Sequence, residues 1–185
     1  MISIVKLELE KKPAEGLIGI LLDANVFISA SKGSQVCKKI LDAAEKNYLS
    51  ENPRFAFYTT NGVLREVAGL PEEIANYGNY ITRINVENID KRINDISNGA
   101  SKTDKGLLHI LANDKRVDVL VSYDGHIWNE YIPSLIRTKY QKLIQIFNPR
   151  DFVDSFLRSK VKAPVHSGLE EAEAYLQAKG RSVGG

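Results

Sequence analysis

An internal disulfide is excluded by counting, since the 185-residue chain holds one cysteine, Cys37. Its setting, Val36-Cys37-Lys38-Lys39-Ile40-Leu41, has helical spacing and offers no second cysteine to share a metal, so a core position is expected. Long apolar runs are also missing. None approaches the roughly 20 residues that cross a bilayer, which argues against a membrane-spanning role. The opening Met-Ile-Ser-Ile-Val-Lys-Leu-Glu-Leu-Glu places charges where a signal peptide needs an unbroken apolar stretch, so a cytoplasmic protein is expected. Nor is there much charge of one sign: 25 Lys and Arg stand against 23 Asp and Glu, a net of +2 that does not by itself argue for a polyanionic partner.

Local distribution says more than the sum. Arg137, Lys139, Lys142, Arg150, Arg158, Lys160 and Lys162 are opposed within their segment only by Asp151 and Asp154. A solvated basic face accounts for any one of them, while the group as a whole is suited to phosphates. The length fits one domain with a substantial core. Val5, Leu7 and Leu9 alternate with Lys6, Glu8 and Glu10, which predicts a half-exposed strand before Pro13 breaks it. An apolar strand, Leu17 to Leu22, is then followed by helical patterns over Val26–Ser31 and Gln35–Asn47. Arg54 to Thr59 reads as a strand, with Thr60 capping a helix striped by Val63, Leu64 and Val67.

Ile74, Tyr77, Ile81 and Ile84 have helical spacing, Asn85-Val86 suggests a short strand, and Ile89, Ile93 and Ile96 suggest a further helix. Ser101-Lys102-Thr103-Asp104 has the form of a capping box ahead of Leu107, Leu108, Leu111 and Ala112. Strands over Val117–Ser122 and Leu143–Phe147 follow, and Asp151–Leu157 closes the domain as a short helix. Alternation of this kind predicts a parallel sheet covered by helices, an α/β fold. Residues 1–16 read as a strand extension, 17–157 as the main domain, and 158–185 as a linker with an amphipathic helix behind Ser167-Gly168-Leu169-Glu170.

Four acids stand apart from the charged runs. Asp23 follows one strand, Asp124 lies just past another, Glu66 flanks an apolar helical stripe, and Asp104 falls in a first helical turn. In a parallel α/β sheet ligands bind beyond the carboxyl ends of the strands, where Asp23 and Asp124 belong. Each acid has a plainer explanation: Asp23 as a helix cap, Glu66 as a surface residue near Arg65, Asp104 as a complement to the helix dipole, and Asp124-Gly125 as a turn. Taken together they favour convergence. Two carboxylates ~5 Å apart repel by ~3 kcal/mol at an effective dielectric of 20, so a shared pocket needs protons or a cation. Oxygen-only ligands suit Mg²⁺ or Mn²⁺ better than zinc.

Leu21-Leu22-Asp23-Ala24-Asn25-Val26-Phe27-Ile28 resembles the opening motif of the PIN-domain nucleases. Glu66 in Val63-Leu64-Arg65-Glu66-Val67, Thr103-Asp104, and Val119-Leu120-Val121-Ser122-Tyr123-Asp124 resemble the family's remaining acids in order, and Ile146 to Phe152 resembles its last strand and exit. The likeness covers residues 17–157. Two departures are Ala24, where Ser or Thr is frequent, and His126, where some members carry a further Asp. A haloacid-dehalogenase-like phosphatase, which also begins with a strand ending in Asp, is disfavoured because Asn25 stands where its second Asp belongs.

The resemblance implies a three-layer α/β/α fold with a central parallel sheet and a divalent-metal endoribonuclease acting on single-stranded RNA. By that likeness Asp23, Glu66, Asp104 and Asp124 are the catalytic and metal-ligating residues for Mg²⁺ or Mn²⁺, with Asn25 and Ser122 orienting them. His126, Arg137, Lys139 and Lys142 are expected RNA contacts, and a homodimer is expected. Three roles remain open: the toxin of a toxin–antitoxin pair, with an antitoxin protein as partner; a housekeeping RNA-processing nuclease; or a PIN-like module that docks RNA or protein without cutting it.

Overall fold

A computed structural model of the chain describes residues 16–135, 138–139 and 145–158. The expected N-terminal strand, the linker and the C-terminal helix lie outside the described residues. So do Arg137 and Lys142, and Lys160 and Lys162 of the basic segment.

Five strands form one sheet: β1 (Ile18–Leu22), β2 (Phe55–Thr60), β3 (Thr82–Ile84), β4 (Val119–Val121) and β5 (Gln145–Phe147). Their order is β3-β2-β1-β4-β5, and every neighbouring pair is parallel. The continuous apolar run of β1 is the signature of a strand covered on both faces. Accordingly Gly19 to Leu22 are all buried, as is the whole of β4 and β5, although successive side chains point to opposite faces. Helices lie on both sides, giving the three-layer α/β/α architecture that the alternation predicts.

Helix α1 (Ala24–Ser31) leaves β1 directly. In α2 (Gln35–Tyr48) the buried set Cys37, Ile40, Leu41 and Ala44 follows the 3.6-residue period, and Ser34 caps the helix by accepting the Cys37 N–H at 3.3 Å. Cys37 is thus core, as expected. Helix α3 (Asn61–Val67) is capped by Thr60, whose hydroxyl accepts the Val63 N–H at 3.2 Å. The short α4 (Glu72–Ala75) runs into a 3₁₀ turn over Asn76–Tyr80. Here the helical spacing misleads. Gly78 and Asn79 are poor helix formers, Ile81 is already extended (φ −122°, ψ 128°), and the strand is Thr82–Ile84 instead of Asn85-Val86.

Helix α5 (Lys91–Ile96) and α6 (Lys102–Asn113) follow, the latter capped by Ser101. Beyond β4 a π-helical turn (Ile127–Tyr131) leads into α7 (Ile132–Ser134), and α8 (Pro149–Phe152) passes into a second π-helical turn, Val153–Leu157. No helix among the described residues is long and apolar enough to cross a membrane.

One glycine fixes the centre of the sheet. The Gly19 N–H donates to Asp118 Oδ2 at 2.7 Å, and the Asp118 N–H returns a bond to the Gly19 carbonyl at 2.9 Å. A Cβ on Gly19 would stand 1.7 Å from the Arg116 carbonyl oxygen, so no other residue fits without moving backbone.

Candidate active site

Sheet topology locates the site before any side chain is considered. From β1 the chain builds outward through β2 to β3, then returns to β4 on the other side of β1 and on to β5. The order reverses between β1 and β4, and in open α/β sheets the crevice beyond the carboxyl ends at such a reversal is where ligands bind. Asp23 follows β1, and Ser122 to Asp124 follow β4. The Asp23 N–H, bonded to the Val121 carbonyl at 3.2 Å, extends the β1–β4 ladder to this point.

Asp23 occupies the N-cap position of α1, yet its side chain makes no capping bond across the first turn. Instead Oδ2 accepts from Ser122 Oγ at 2.5 Å and from Asn25 Nδ2 at 2.9 Å. Ser122 Oγ also accepts from Asn25 Nδ2 (3.2 Å) and from the Asp124 N–H (3.0 Å). These three bonds suit the one donor and two lone pairs of a hydroxyl. Asn25 Oδ1 in turn receives the Tyr123 N–H at 3.2 Å. The two strand ends are therefore cross-braced, and Asp124 is tightened further by the His126 N–H on its Oδ1 at 2.9 Å.

The other two acids come from α3 and α6. Glu66 Oε1 accepts from Thr103 Oγ1 at 2.5 Å, and Asp104 Oδ2 accepts from Ser101 Oγ at 2.8 Å. The helices can approach because α3 has Gly62 where they meet, and a Cβ there would lie 3.2 Å from Thr103 Oγ1.

Electrostatics link all four. Asp23 is 5% exposed, and burial is the main cause that lifts its pKa from an ordinary 3.8 to about 6. The Ser122 bond and the Ala24 N–H oppose that rise, whereas the charges of Asp104 and Asp124 add to it. Asp104 is also raised, first by burial and then by Asp124 and Glu66, against the bonds from Ser101. Each acid therefore lies in the field of at least one other. None of the four is in an ion pair with a described Lys or Arg.

No family model, curated protein or solved structure matches the chain. These residues and their geometry carry the functional reading.

Among the described residues no three His, Cys, Asp or Glu side chains are already gathered as a ligand set. The donor chemistry nonetheless fits a hard divalent cation. All four groups are carboxylates, the charges of Asp104 and Asp124 help to raise Asp23 and those of Asp124 and Glu66 help to raise Asp104, and a buried Asp23 lacks a described cationic partner.

Of the expected RNA contacts, His126 is exposed at the edge of the site, its Nδ1 3.0 Å from Glu130 Oε1 and its ring stacked on Tyr131. The Glu130 carboxylate raises its pKa, with Asp124 and Asp104 adding to the effect. Lys139 is exposed. Sequence reasoning missed Thr103 as the partner of Glu66; its only signal in the sequence is its place beside Asp104.

Proposed function

We propose that the chain is a divalent-metal-dependent endoribonuclease of PIN-like type that hydrolyses phosphodiester bonds in single-stranded RNA. The observation that carries this reading is the buried Asp23 carboxylate at the sheet's switch point, braced by Ser122 and Asn25 and lying in the field of Asp104 and Asp124.

In this reading Asp23, Asp124, Asp104 and Glu66 would hold Mg²⁺ or Mn²⁺, which would supply positive charge at the scissile phosphate and lower the pKa of water there. Ser122 and Asn25 keep the Asp23 oxygens aimed into the crevice. Asp104, with Ser101 on one oxygen, takes up the proton of the attacking water. The water oxygen bonds to phosphorus as the bond to the 3′-oxygen breaks, leaving a 5′-phosphate and, once that oxygen is protonated, a 3′-hydroxyl. A module that only docked RNA would gain nothing from holding mutually repelling acids together, because their repulsion disfavours the fold.

The test is cleavage of end-labelled single-stranded RNA by wild type and Asp23→Asn with Mn²⁺, Mg²⁺ or EDTA. Cutting that needs the metal and falls by at least about a hundredfold in the variant is expected. Cutting that persists in EDTA, or in Asp23→Asn, overturns the reading.

A further inference from the structure

Beside the acids, between α3 and α6, lies a cavity of about 340 Å³. That volume falls at the small end of ligand sites, which span roughly 300–1,000 Å³. Its floor includes Val86, Ile89 and Gly106, and its rim carries Arg65, Lys102 and Glu66. The floor is settled by packing: Gly106 leaves room over Val86, and Asn61 Oδ1 holds the Val86 N–H at 3.2 Å. Arg65 and Lys102 are exposed, and neither forms an ion pair with a described carboxylate.

We propose that this cavity is a subsite for the nucleotide next to the scissile phosphate, its base lying on Val86 and Ile89 and its phosphate meeting Arg65 and Lys102. The inference rests on the nuclease reading and extends it to residues outside the four acids and outside the 137–162 basic segment. Three features converge. Glu66 belongs both to the acid cluster and to the cavity rim, so an occupant is contiguous with the reacting phosphate. Two exposed cations on the rim suit an anionic ligand, supplying locally the positive charge that a chain of net charge +2 lacks as a whole. An apolar floor below them suits the flat face of a base, which binds by stacking and desolvation without reading sequence.

The experiment is fluorescence anisotropy of a labelled single-stranded oligoribonucleotide on the full chain in EDTA, where no cutting occurs, over a range of salt concentrations. Wild type is compared with the Arg65→Ala/Lys102→Ala double variant and with Lys115→Ala, an exposed cation ahead of β4 at the opposite end of the sheet. The double variant should bind about tenfold more weakly at low salt, with a salt slope shallower by about 0.7, the share of the one phosphate of a single strand that is no longer neutralised. Lys115→Ala should behave as wild type, and an abasic strand of equal length should compete less well than the full strand. Unchanged affinity and slope in the double variant overturn the subsite, as does equal competition by the abasic strand. Wild type that binds through Arg65 and Lys102 yet cuts nothing with Mn²⁺ leaves the RNA site standing and removes the nuclease. Wild type that cuts, with a double variant of unchanged binding and KM, does the reverse.

Discussion

Burial sets Asp23 against its own charge. With a folded pKa of about 6 and an ordinary value of 3.8, the folded protein keeps this proton to higher pH than the unfolded chain does. Raising the pH from about 4 through 6 therefore strips stability from the fold, and above that range the ionised carboxylate costs on the order of 3 kcal/mol. Asp23→Asn should thus melt higher than wild type at pH 7.5 in EDTA, by several degrees for a domain of this size, with the gap closing towards pH 4. Calorimetry at the two pH values checks this, and a variant that melts lower at pH 7.5 refutes it. Ser122 acts in the opposite sense, since its hydroxyl stabilises the ionised form. Ser122→Ala should reduce cleavage by about 10–100-fold and move the acid limb of its pH profile to higher pH. A loss of rate without movement of that limb would mean that Ser122 matters for packing alone.

Among the elements, strand ends and caps do most of the positioning, and they are the most legible part of the sequence. Leu17 to Leu22 can be read as a buried parallel strand because its apolar run is unbroken, and Thr60 and Ser101 announce helix starts through their own side chains. The stretch around Tyr77 to Ile84 cannot be read from spacing, because apolar residues four and three apart (Tyr77, Ile81, Ile84) also suit a 3₁₀ turn that flows into a short strand. The Thr103–Glu66 bond is equally hidden, as it joins residues 37 apart where α3 meets α6. Gly19 supplies a prediction for the sheet. Gly19→Ala drives a methyl into the Arg116 carbonyl and loosens β1 against β4, so urea titration should show a loss of about 3 kcal/mol or more. Near-neutral stability would mean that β1 and the chain before β4 are not held this closely.

Across the molecule, the order β3-β2-β1-β4-β5 sets Asp23 and Asp124 at neighbouring strand ends, and Asp104 from α6 and Glu66 from α3 are linked to them through their charges. The parallel sheet is legible from the alternation of strands and helices. Its order is not, because no local pattern says that β4 returns beside β1. Asp23 and Asp124 can nonetheless be found, since any parallel arrangement gathers carboxyl-terminal strand ends on one edge. The pairing of Asn25 with Ser122 follows from β4 lying next to β1 and from nothing nearer in sequence.

Whether Asp23 and its neighbouring acids form one cation site is decided by Mn²⁺ binding to the purified chain, followed by isothermal titration calorimetry at pH 7.5 and at pH 5. Binding at pH 7.5 should weaken at pH 5, as protons compete for Asp23, and should disappear in Asp23→Asn. Mn²⁺ affinity that is absent, or that is the same in Asp23→Asn as in wild type, would mean that these acids do not hold a metal.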